Sequence, residues 1–244
     1  MVYQIFLQIK KDIIINNLII FILVGGFGTR LKTVVSNIPK PMAPINNKPF
    51  LDYKIDHFRN YFPNNQIILL TYYLSNYIEN YYKDYIDIVC IKEDEPLGTG
   101  GALKNAIQTL DLKNNQPIIL TNGDTYIKPN YQDFINYNGD IRIMCSYKEN
   151  TDRYGTVGIN NNIIEKFSTK SKSNNSYINT GCYFFKKLSF IKSINKKKFA
   201  IEDEFEKMIK KEELGAYVYD DIFIDIGIPE DYKLLQREIN EYEK

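Results

Sequence analysis

The stretch LVGGFGTRL at residues 23 to 31, together with PKPM at residues 39 to 42, holds the most informative group of residues in this chain. An apolar run ends at Val24, and three glycines fall within the next four residues. Glycines let a backbone approach a ligand closely and turn its N–H groups inward, so such a loop predicts an anion cradle for phosphates. Arg30 and Lys40 add positive charge beside that cradle. The combination suits a reaction in which a polyphosphate is held and split.

A glycine-rich turn between a buried strand and a surface segment is the simplest alternative for this loop. Two glycines alone would favour it, but Arg30 and Lys40 stand at fixed offsets, and two prolines stiffen the backbone around the lysine. The sequence contains no GxxxxGK[ST] string, and a Rossmann dinucleotide loop would require glycine where Leu31 stands. We therefore interpret the stretch as a phosphate-binding loop of another type.

Length and composition fit one enzyme-sized domain. A chain of 244 residues with 44% hydrophobic content can bury a full core, and a formal charge of +1 favours neither a nucleic-acid nor a membrane partner. Cys90, Cys145 and Cys182 form no CxxC pair. The single histidine, His57, falls on the polar side of a predicted helix, which argues against a histidine relay or metal site. These features favour a reduced, cytoplasmic setting without a structural metal.

Strand and helix patterns alternate after the glycine loop. Residues 18 to 24 predict a first buried strand, and a helix is predicted where Leu51, Ile55 and Phe58 recur after Pro49. Further strands are predicted at 66 to 73, 86 to 91 and 117 to 124, and further helices at 75 to 82 and 100 to 110. This order predicts an α/β fold with a mostly parallel sheet and with ligands at the carboxyl ends of its strands.

The second half is richer in short strands, predicted in IRIMCSY, TVGI, NIIEKF and YINTGCYFF. The polar residues 169 to 176 predict an exposed loop, residues 202 to 213 a helix, and residues 229 to 243 a closing amphipathic helix. Residues 1 to 17 are interpreted as an N-terminal extension, for which a wrongly assigned start codon is an equal alternative. The apolar run from Ile13 to Val24 is interrupted by two asparagines and is shorter than the roughly 20 residues that span a bilayer.

Further motifs follow the glycine loop in order: EPLGTGGAL at 95 to 103, TNGDT at 121 to 125, RYGTV at 153 to 157, INTGCYFF at 178 to 185 and FIDIGIPEDY at 223 to 232. Together they resemble the sugar-1-phosphate nucleotidyltransferases, or nucleotide-sugar pyrophosphorylases, over residues 18 to about 240. The GTGG string and the FIDIGIPEDY ending are most similar to D-glycero-D-manno-heptose 1-phosphate guanylyltransferases.

The resemblance implies a single-domain, Rossmann-like three-layer sandwich with a mostly parallel, mixed sheet, of the nucleotide-diphospho-sugar transferase type. Within residues 18 to 244, it implies a nucleotide-binding half at about 18 to 130, a sugar-binding half at about 131 to 228 and the helix at 229 to 243. Catalytic roles are implied for Arg30 and Lys40. Nucleotide binding is implied for Leu23, Gly25, Gly26, Gly28, Thr29, Gly98, Thr99 and Gly101, and sugar-phosphate binding for Gly155, Lys170 and Asn179.

Asp124 follows a glycine and Asp225 precedes another, each at a strand end, where an acidic residue is often only a cap or turn former. Both match the family's metal ligands, and Mg²⁺ is commonly held by one or two carboxylates together with phosphate oxygens. We therefore expect Mg²⁺ as the cofactor.

The resemblance implies transfer of a nucleotidyl group, most simply from GTP, to a sugar 1-phosphate such as a heptose 1-phosphate, for surface polysaccharide synthesis. UTP, CTP or dTTP with another sugar 1-phosphate, a glycosyltransferase and a non-catalytic nucleotide-sugar sensor are the alternatives. Thr169 stands where the family commonly has glutamate, which weakens any simple transfer of sugar preference. The resemblance also leaves a homo-oligomer open.

Overall fold

The computed structural model describes residues 18–31, 34–35, 37–168, 174–209 and 214–243. The N-terminal extension at 1 to 17 therefore lies outside the described residues, as do Thr169 and Lys170. Within the described ranges, no helix is both long and apolar enough to cross a membrane.

A mixed sheet of nine strands forms the centre of the described part of the chain. The strands are β1 (Ile19–Leu23), β4 (Ile67–Thr71), β5 (Ile88–Lys92), β6 (Ile118–Asn122), β8 (Ile141–Asn150), β9 (Thr156–Asn160), β10 (Ile163–Ser168), β11 (Asn174–Phe185) and β12 (Gly215–Val218). Their order in the sheet is β5-β4-β1-β6-β11-β8-β12-β10-β9. β11 and β10 run opposite to the other strands, so the expectation of a mostly parallel, mixed sheet is confirmed. Two small ribbons pair β2 (Pro44–Ile45) with β3 (Lys48–Pro49) and β7 (Thr125–Tyr126) with β13 (Ile224–Asp225).

Helices cover both faces of the sheet. They are α1 (Phe50–Tyr61), α2 (Ser75–Tyr82), α3 (Gly98–Thr109), α4 (Tyr131–Ile135), α5 (Ser189–Ser193), α6 (Ile201–Met208) and α7 (Pro229–Tyr242). Side chains alternate along a strand, so Ile19 and Phe21 of β1 enter one core with α3, α5 and α6, whereas Ile20 and Ile22 enter another with α1, α2 and α4. The expected three-layer sandwich is confirmed.

A third, smaller core holds α7 against the glycine loop. Leu31 at the end of the loop, Ile226 after β13 and Leu235 of α7 are buried together in it. The core therefore anchors the loop and β13 to one closing helix, which fixes the two segments relative to each other.

Three sequence expectations need correction. Residues 174 to 176 belong to β11 rather than to a loop, because they pair with the polar end of β8, Ser176 opposite Lys148, beyond the apolar core. The helix expected at 202 to 213 begins at Ile201 and ends at Met208, its last buried residue, while 210 to 213 lie outside the described residues. His57 is half-buried between the rings of Tyr61 and Tyr131, at 5.2 and 5.3 Å between ring centroids, rather than on a polar face.

Candidate active site

The glycine loop leaves β1 at the carboxyl edge of the parallel strands. Leu23 at the end of β1 is opposite Asn122 at the end of β6, and the Gly123 N–H donates to the Leu23 carbonyl at 2.9 Å. A parallel sheet gathers its strand ends at one edge, so the loop after β1 and the turn that carries Asp124 lie side by side.

The glycines of the loop are required for different reasons. A Cβ added to Gly25 would lie 2.9 Å from the Tyr72 backbone nitrogen, and Gly28 has a φ of +57° with Lys40 Cβ 3.0 Å from where its own Cβ would be. A Cβ on Gly26, in contrast, would meet nothing within 4 Å. Packing within the protein explains Gly25 and Gly28, while Gly26 presents bare backbone to open space, as a ligand cradle requires.

Lys40 is held in a short 3₁₀ turn, Lys40–Met42, whose Pro41 and Met42 are buried. Its side chain is only 9% exposed, and its Nζ donates to Asp124 Oδ2 at 2.6 Å and to Asp225 Oδ1 at 3.3 Å. A lysine predicted as catalytic and two aspartates predicted as metal ligands therefore converge on one point.

The small ribbon of β7 and β13 brings the two aspartates together. Asp225 is opposite Thr125 in this ribbon, and the Ile226 N–H donates to the Asp124 carbonyl at 3.0 Å. The Gly227 N–H then donates to Asp225 Oδ1 at 2.8 Å, which orients that carboxylate.

The two carboxylates suit a hard cation, because they already share one ammonium group between them. Over the described ranges, no group of three or more His, Cys, Asp or Glu side chains could hold a metal. A Mg²⁺ ion on Asp124 and Asp225 would therefore take its remaining ligands from phosphate oxygens and water, which is the usual mode for this ion.

Arg153 also belongs to this cluster, although sequence analysis did not select it. Its guanidinium donates to Asp225 Oδ2 at 3.2 Å and to Asp231 at 2.5 Å, and its buried Nε has no partner among the described residues. The only signal in the sequence was its place at the start of RYGTV, whereas Asp231 lies 78 positions away.

Three cavities meet at Asp124. The loop cavity, about 220 Å³, lies between Gly26, Arg30 and Lys40; the helix cavity, about 340 Å³, lies between the glycine loop and the start of α3. The acidic cavity, about 360 Å³, contains Asp225, Glu202 and Asp203. Because Asp124 lines all three, a molecule in any one of them lies next to the same residue.

The GTGG string forms the first turn of α3 and packs against the segment before α6. Gly98, with φ +78°, and Thr99 line the helix cavity. Gly101 is not among the residues that line it; a Cβ at Gly101 would lie 2.5 Å from the Lys197 carbonyl oxygen. The position of Gly101 is therefore explained by close packing.

Glu93 is a second residue that sequence analysis missed. It lines the helix cavity, is 7% exposed and accepts the Leu97 N–H on Oε2 at 2.8 Å. Burial raises the pKa of this carboxyl above its ordinary value. A buried acceptor thus faces the cavity next to Gly98.

The acidic cavity contains two of the residues predicted to bind the sugar phosphate. Gly155 and Asn179 both line it, and the Asn179 N–H donates to the Gly155 carbonyl at 2.9 Å. Lys170, the third, lies outside the described residues. Tyr183 and Glu202 line the same cavity and were not predicted.

Comparison with known proteins decides the family. The model of the nucleotidyl transferase family matches residues 19–241 of this chain. The chain belongs to the nucleotidyl transferase family. The family prediction made from the sequence is thereby confirmed.

Relatives in the nucleotidyl transferase family include two curated proteins named D-glycero-alpha-D-manno-heptose 1-phosphate guanylyltransferase. That of Aneurinibacillus thermoaerophilus is 37% identical over 91% of this chain and 98% of its own length. That of Campylobacter jejuni is 38% identical over 86% of this chain and 95% of its own length. A crystal structure of HddC from Yersinia pseudotuberculosis complexed with GMP-PN is 34% identical, with a TM-score of 0.77, and covers 91% of this chain and 100% of that one.

Proposed function

We propose that this chain transfers a guanylyl group from GTP to a D-glycero-D-manno-heptose 1-phosphate, giving a GDP-heptose for surface polysaccharide synthesis and pyrophosphate. The names of the two curated relatives support both substrates, and their alignments with this chain extend over nearly their whole length. The solved relative bound to GMP-PN supports a guanine nucleotide.

One observation carries the proposal: the cavities that suit a triphosphate, a base and a sugar converge on Asp124, beside Lys40. A transfer reaction needs a donor and an acceptor that meet at one atom. The loop cavity suits the triphosphate, the helix cavity the base and the acidic cavity the sugar, so the α-phosphorus would lie at the junction.

The chemical step is an in-line displacement at the α-phosphorus. A phosphate oxygen of the sugar 1-phosphate forms the new P–O bond while the bond to the leaving pyrophosphate breaks. The attacking group is already an oxyanion, so no general base is needed, and catalysis consists of positioning and charge neutralisation.

Two basic residues are placed for that neutralisation. Lys40 lies at the junction with its ammonium shielded from solvent, so its charge is little screened at the α-phosphate. Arg30 lines both the loop cavity and the acidic cavity, where it can steady the leaving pyrophosphate. Mg²⁺, when held by Asp124 and Asp225, supplies further neutralisation of the triphosphate.

Glu93 supports guanine as the base. The Watson–Crick edge of guanine carries N–H donors, whereas a carboxylate is an acceptor only. A buried carboxylate in the helix cavity therefore matches guanine better than it matches the acceptor-rich edge of a pyrimidine such as uracil.

A coupled assay for pyrophosphate release tests the proposal. GTP, ATP, UTP, CTP and dTTP would each be combined with D-glycero-D-manno-heptose 1-phosphate, mannose 1-phosphate and glucose 1-phosphate. We expect GTP to be preferred by at least ~10-fold in kcat/KM, about 1.4 kcal/mol of transition-state binding. Preference for a pyrimidine triphosphate would overturn the guanylyl assignment. Absence of pyrophosphate with every pair would overturn nucleotidyl transfer and favour a glycosyltransferase or a sensor.

A further inference from the structure

We propose that Glu202 is a positioning residue that couples the helix cavity to the acidic cavity, so that binding of the nucleotide and binding of the sugar phosphate reinforce each other. The inference rests on the proposed function, which assigns the base to the first cavity and the sugar to the second.

Both oxygens of the Glu202 carboxylate accept a hydroxyl from a different part of the fold. Thr99 Oγ1, at the start of α3, donates to Oε2 at 2.8 Å, and the Tyr183 hydroxyl, on β11, donates to Oε1 at 2.8 Å. Glu202 itself is on α6, so three elements meet at one carboxylate.

The chain of hydrogen bonds continues on both sides. Asn179 Nδ2 donates to the Tyr183 hydroxyl at 2.7 Å, and Asn179 Oδ1 accepts the Gly181 N–H at 2.9 Å. On the other side, Thr99 Oγ1 accepts the Ile201 N–H at 2.9 Å. The hydroxyls of Thr99 and Tyr183 thus each accept one hydrogen bond and donate one. On both sides, the hydrogen that each hydroxyl donates points toward Glu202.

The groups that carry the chain are tightly packed. Tyr183 is fully buried with its ring 5.3 Å from that of Phe205 on α6, and burial raises its pKa well above the ordinary value, so the phenol stays a donor. The Gly100 N–H donates to the Phe199 carbonyl at 3.1 Å, and a Cβ on Gly98 would lie 2.7 Å from that same oxygen. The start of α3 therefore cannot shift without moving the segment that leads into Glu202.

An amide does not reproduce the carboxylate in this network. Both hydroxyls donate to residue 202, and glutamine offers one acceptor oxygen where glutamate offers two, while its NH2 group can only donate. Glu202→Gln therefore breaks or reverses one side of the chain while it keeps the shape of the side chain.

The test measures binding on each side separately by isothermal titration calorimetry. GTP would be titrated into the whole protein, and D-glycero-D-manno-heptose 1-phosphate into the protein saturated with a non-hydrolysable GTP analogue. We expect Glu202→Gln to weaken the binding of both ligands. The increases in the two Kd values, multiplied together, should come to about tenfold, which is the scale of one hydrogen bond to a charged group. Glu204→Gln is the matched control, because Glu204 is on the same helix but pairs only with Lys196 and Lys207 among the described residues.

Crossed effects distinguish coupling from local contact. We expect Thr99→Val, a change beside the base, to weaken the sugar phosphate several-fold, and Tyr183→Phe, a change beside the sugar, to weaken GTP similarly, while Thr99→Ser restores binding. If the melting curve of Glu202→Gln shows that this variant does not fold, Thr99→Val and Tyr183→Phe carry the test. If each variant weakens only the ligand on its own side and the wild-type protein is active, the coupling is overturned and the proposed function stands. If the wild-type protein is inactive with every substrate pair, the proposed function is overturned as well.

Discussion

At the residue scale, Gly26 is the glycine of the loop that packing within the protein does not explain, since a Cβ there would meet open space. We expect Gly26→Ala to change the free energy of unfolding by less than about 0.5 kcal/mol. The same change should raise KM for GTP at least ~10-fold, because the added methyl occupies the face that the phosphates approach.

Gly28→Ala provides the comparison for Gly26→Ala, because the φ of +57° at Gly28 makes alanine cost about 1 to 2 kcal/mol of stability. Thermal melting and steady-state kinetics of both variants separate the two roles. A destabilised Gly26→Ala protein with normal KM would contradict the assignment of Gly26 to the ligand.

Lys40 offers a second residue-scale test, because its ammonium lies between the carboxylates proposed to hold Mg²⁺. Lys40→Met should lower turnover by at least ~10²-fold, the scale of losing one strong electrostatic contact in a closed site. The same substitution should tighten binding of Mn²⁺ to the nucleotide-free protein, followed by the EPR signal of free Mn²⁺, since a competing cation is removed.

Lys48→Met is the matched control for Lys40→Met, because Lys48 pairs with Asp56 and belongs to none of the three cavities. Unchanged or weaker Mn²⁺ binding in Lys40→Met would show that the lysine and the metal do not share these carboxylates.

Glu93 carries the prediction on base choice. Glu93→Gln keeps the size of the side chain but replaces one acceptor with a donor, which conflicts with the N–H groups of guanine. We expect kcat/KM for GTP to fall ~10-fold or more relative to that for ATP or UTP, about 1.4 kcal/mol, measured in the same pyrophosphate assay. An equal fall for all triphosphates would assign Glu93 to the support of the loop rather than to the base.

Site residues that belong to a recognisable motif could be predicted from the sequence. Site residues whose partners are distant in sequence could not. Lys40, Asp124 and Asp225 were selected from their strings, and the structure places them within hydrogen-bonding distance. Arg153, Glu93 and Glu202 gain their partners from contacts between segments, such as the pair of Thr99 with Glu202 across 103 positions. Nothing local to these residues indicates such contacts.

At the scale of elements, the contact between α1 and α4 makes stability depend on pH. His57 of α1 lies against Tyr131 of α4, its Nε2 is 3.2 Å from the Pro129 carbonyl oxygen, and burial lowers its pKa from 6.5 to about 4. A histidine whose pKa is lowered by folding stabilises the protein fully above pH 6.5, and that contribution is lost as the pH falls toward 4.

We expect His57 to account for about 2 kcal/mol of lost stability between pH 7 and pH 5. Urea unfolding of the wild type and of His57→Gln at both pH values would measure this difference. Because the chain has one histidine, an NMR titration follows its ring without assignment. A pKa near 6.5 in the folded protein would contradict the prediction.

Elements with strong apolar periodicity were predicted closely, and elements without it were not. The predicted helix at 75 to 82 coincides with α2, because Ile78 and Tyr82 mark one buried face. The sequence predicts a loop at the start of β11, because the residues there are polar and pair with the polar end of β8, with no apolar side chain that would indicate a strand. Backbone pairing alone leaves no pattern in the sequence.

At the scale of the whole molecule, the order of strands assembles the site. β1 and β6 are neighbours in the sheet although 94 residues lie between Leu23, which ends β1, and Ile118, which begins β6. The ribbon of β7 and β13 then adds Asp225. The alternation of elements predicted that ligands would lie at this edge, but not that three cavities would share Asp124. That arrangement depends on how α3, α6 and α7 pack, which is a property of the complete fold.

The shared position of Asp124 has a kinetic consequence. The separate cavities that we propose for triphosphate, base and sugar would allow both substrates to be bound at once, and would equally allow a GDP-heptose and pyrophosphate to be bound at once. We expect double-reciprocal plots that intersect, and formation of GTP when pyrophosphate is added to the protein with GDP-heptose. Parallel plots would instead indicate a covalent guanylyl-enzyme. We therefore expect the reaction to be reversible in this site. Accumulation of the sugar nucleotide would then depend on removal of pyrophosphate.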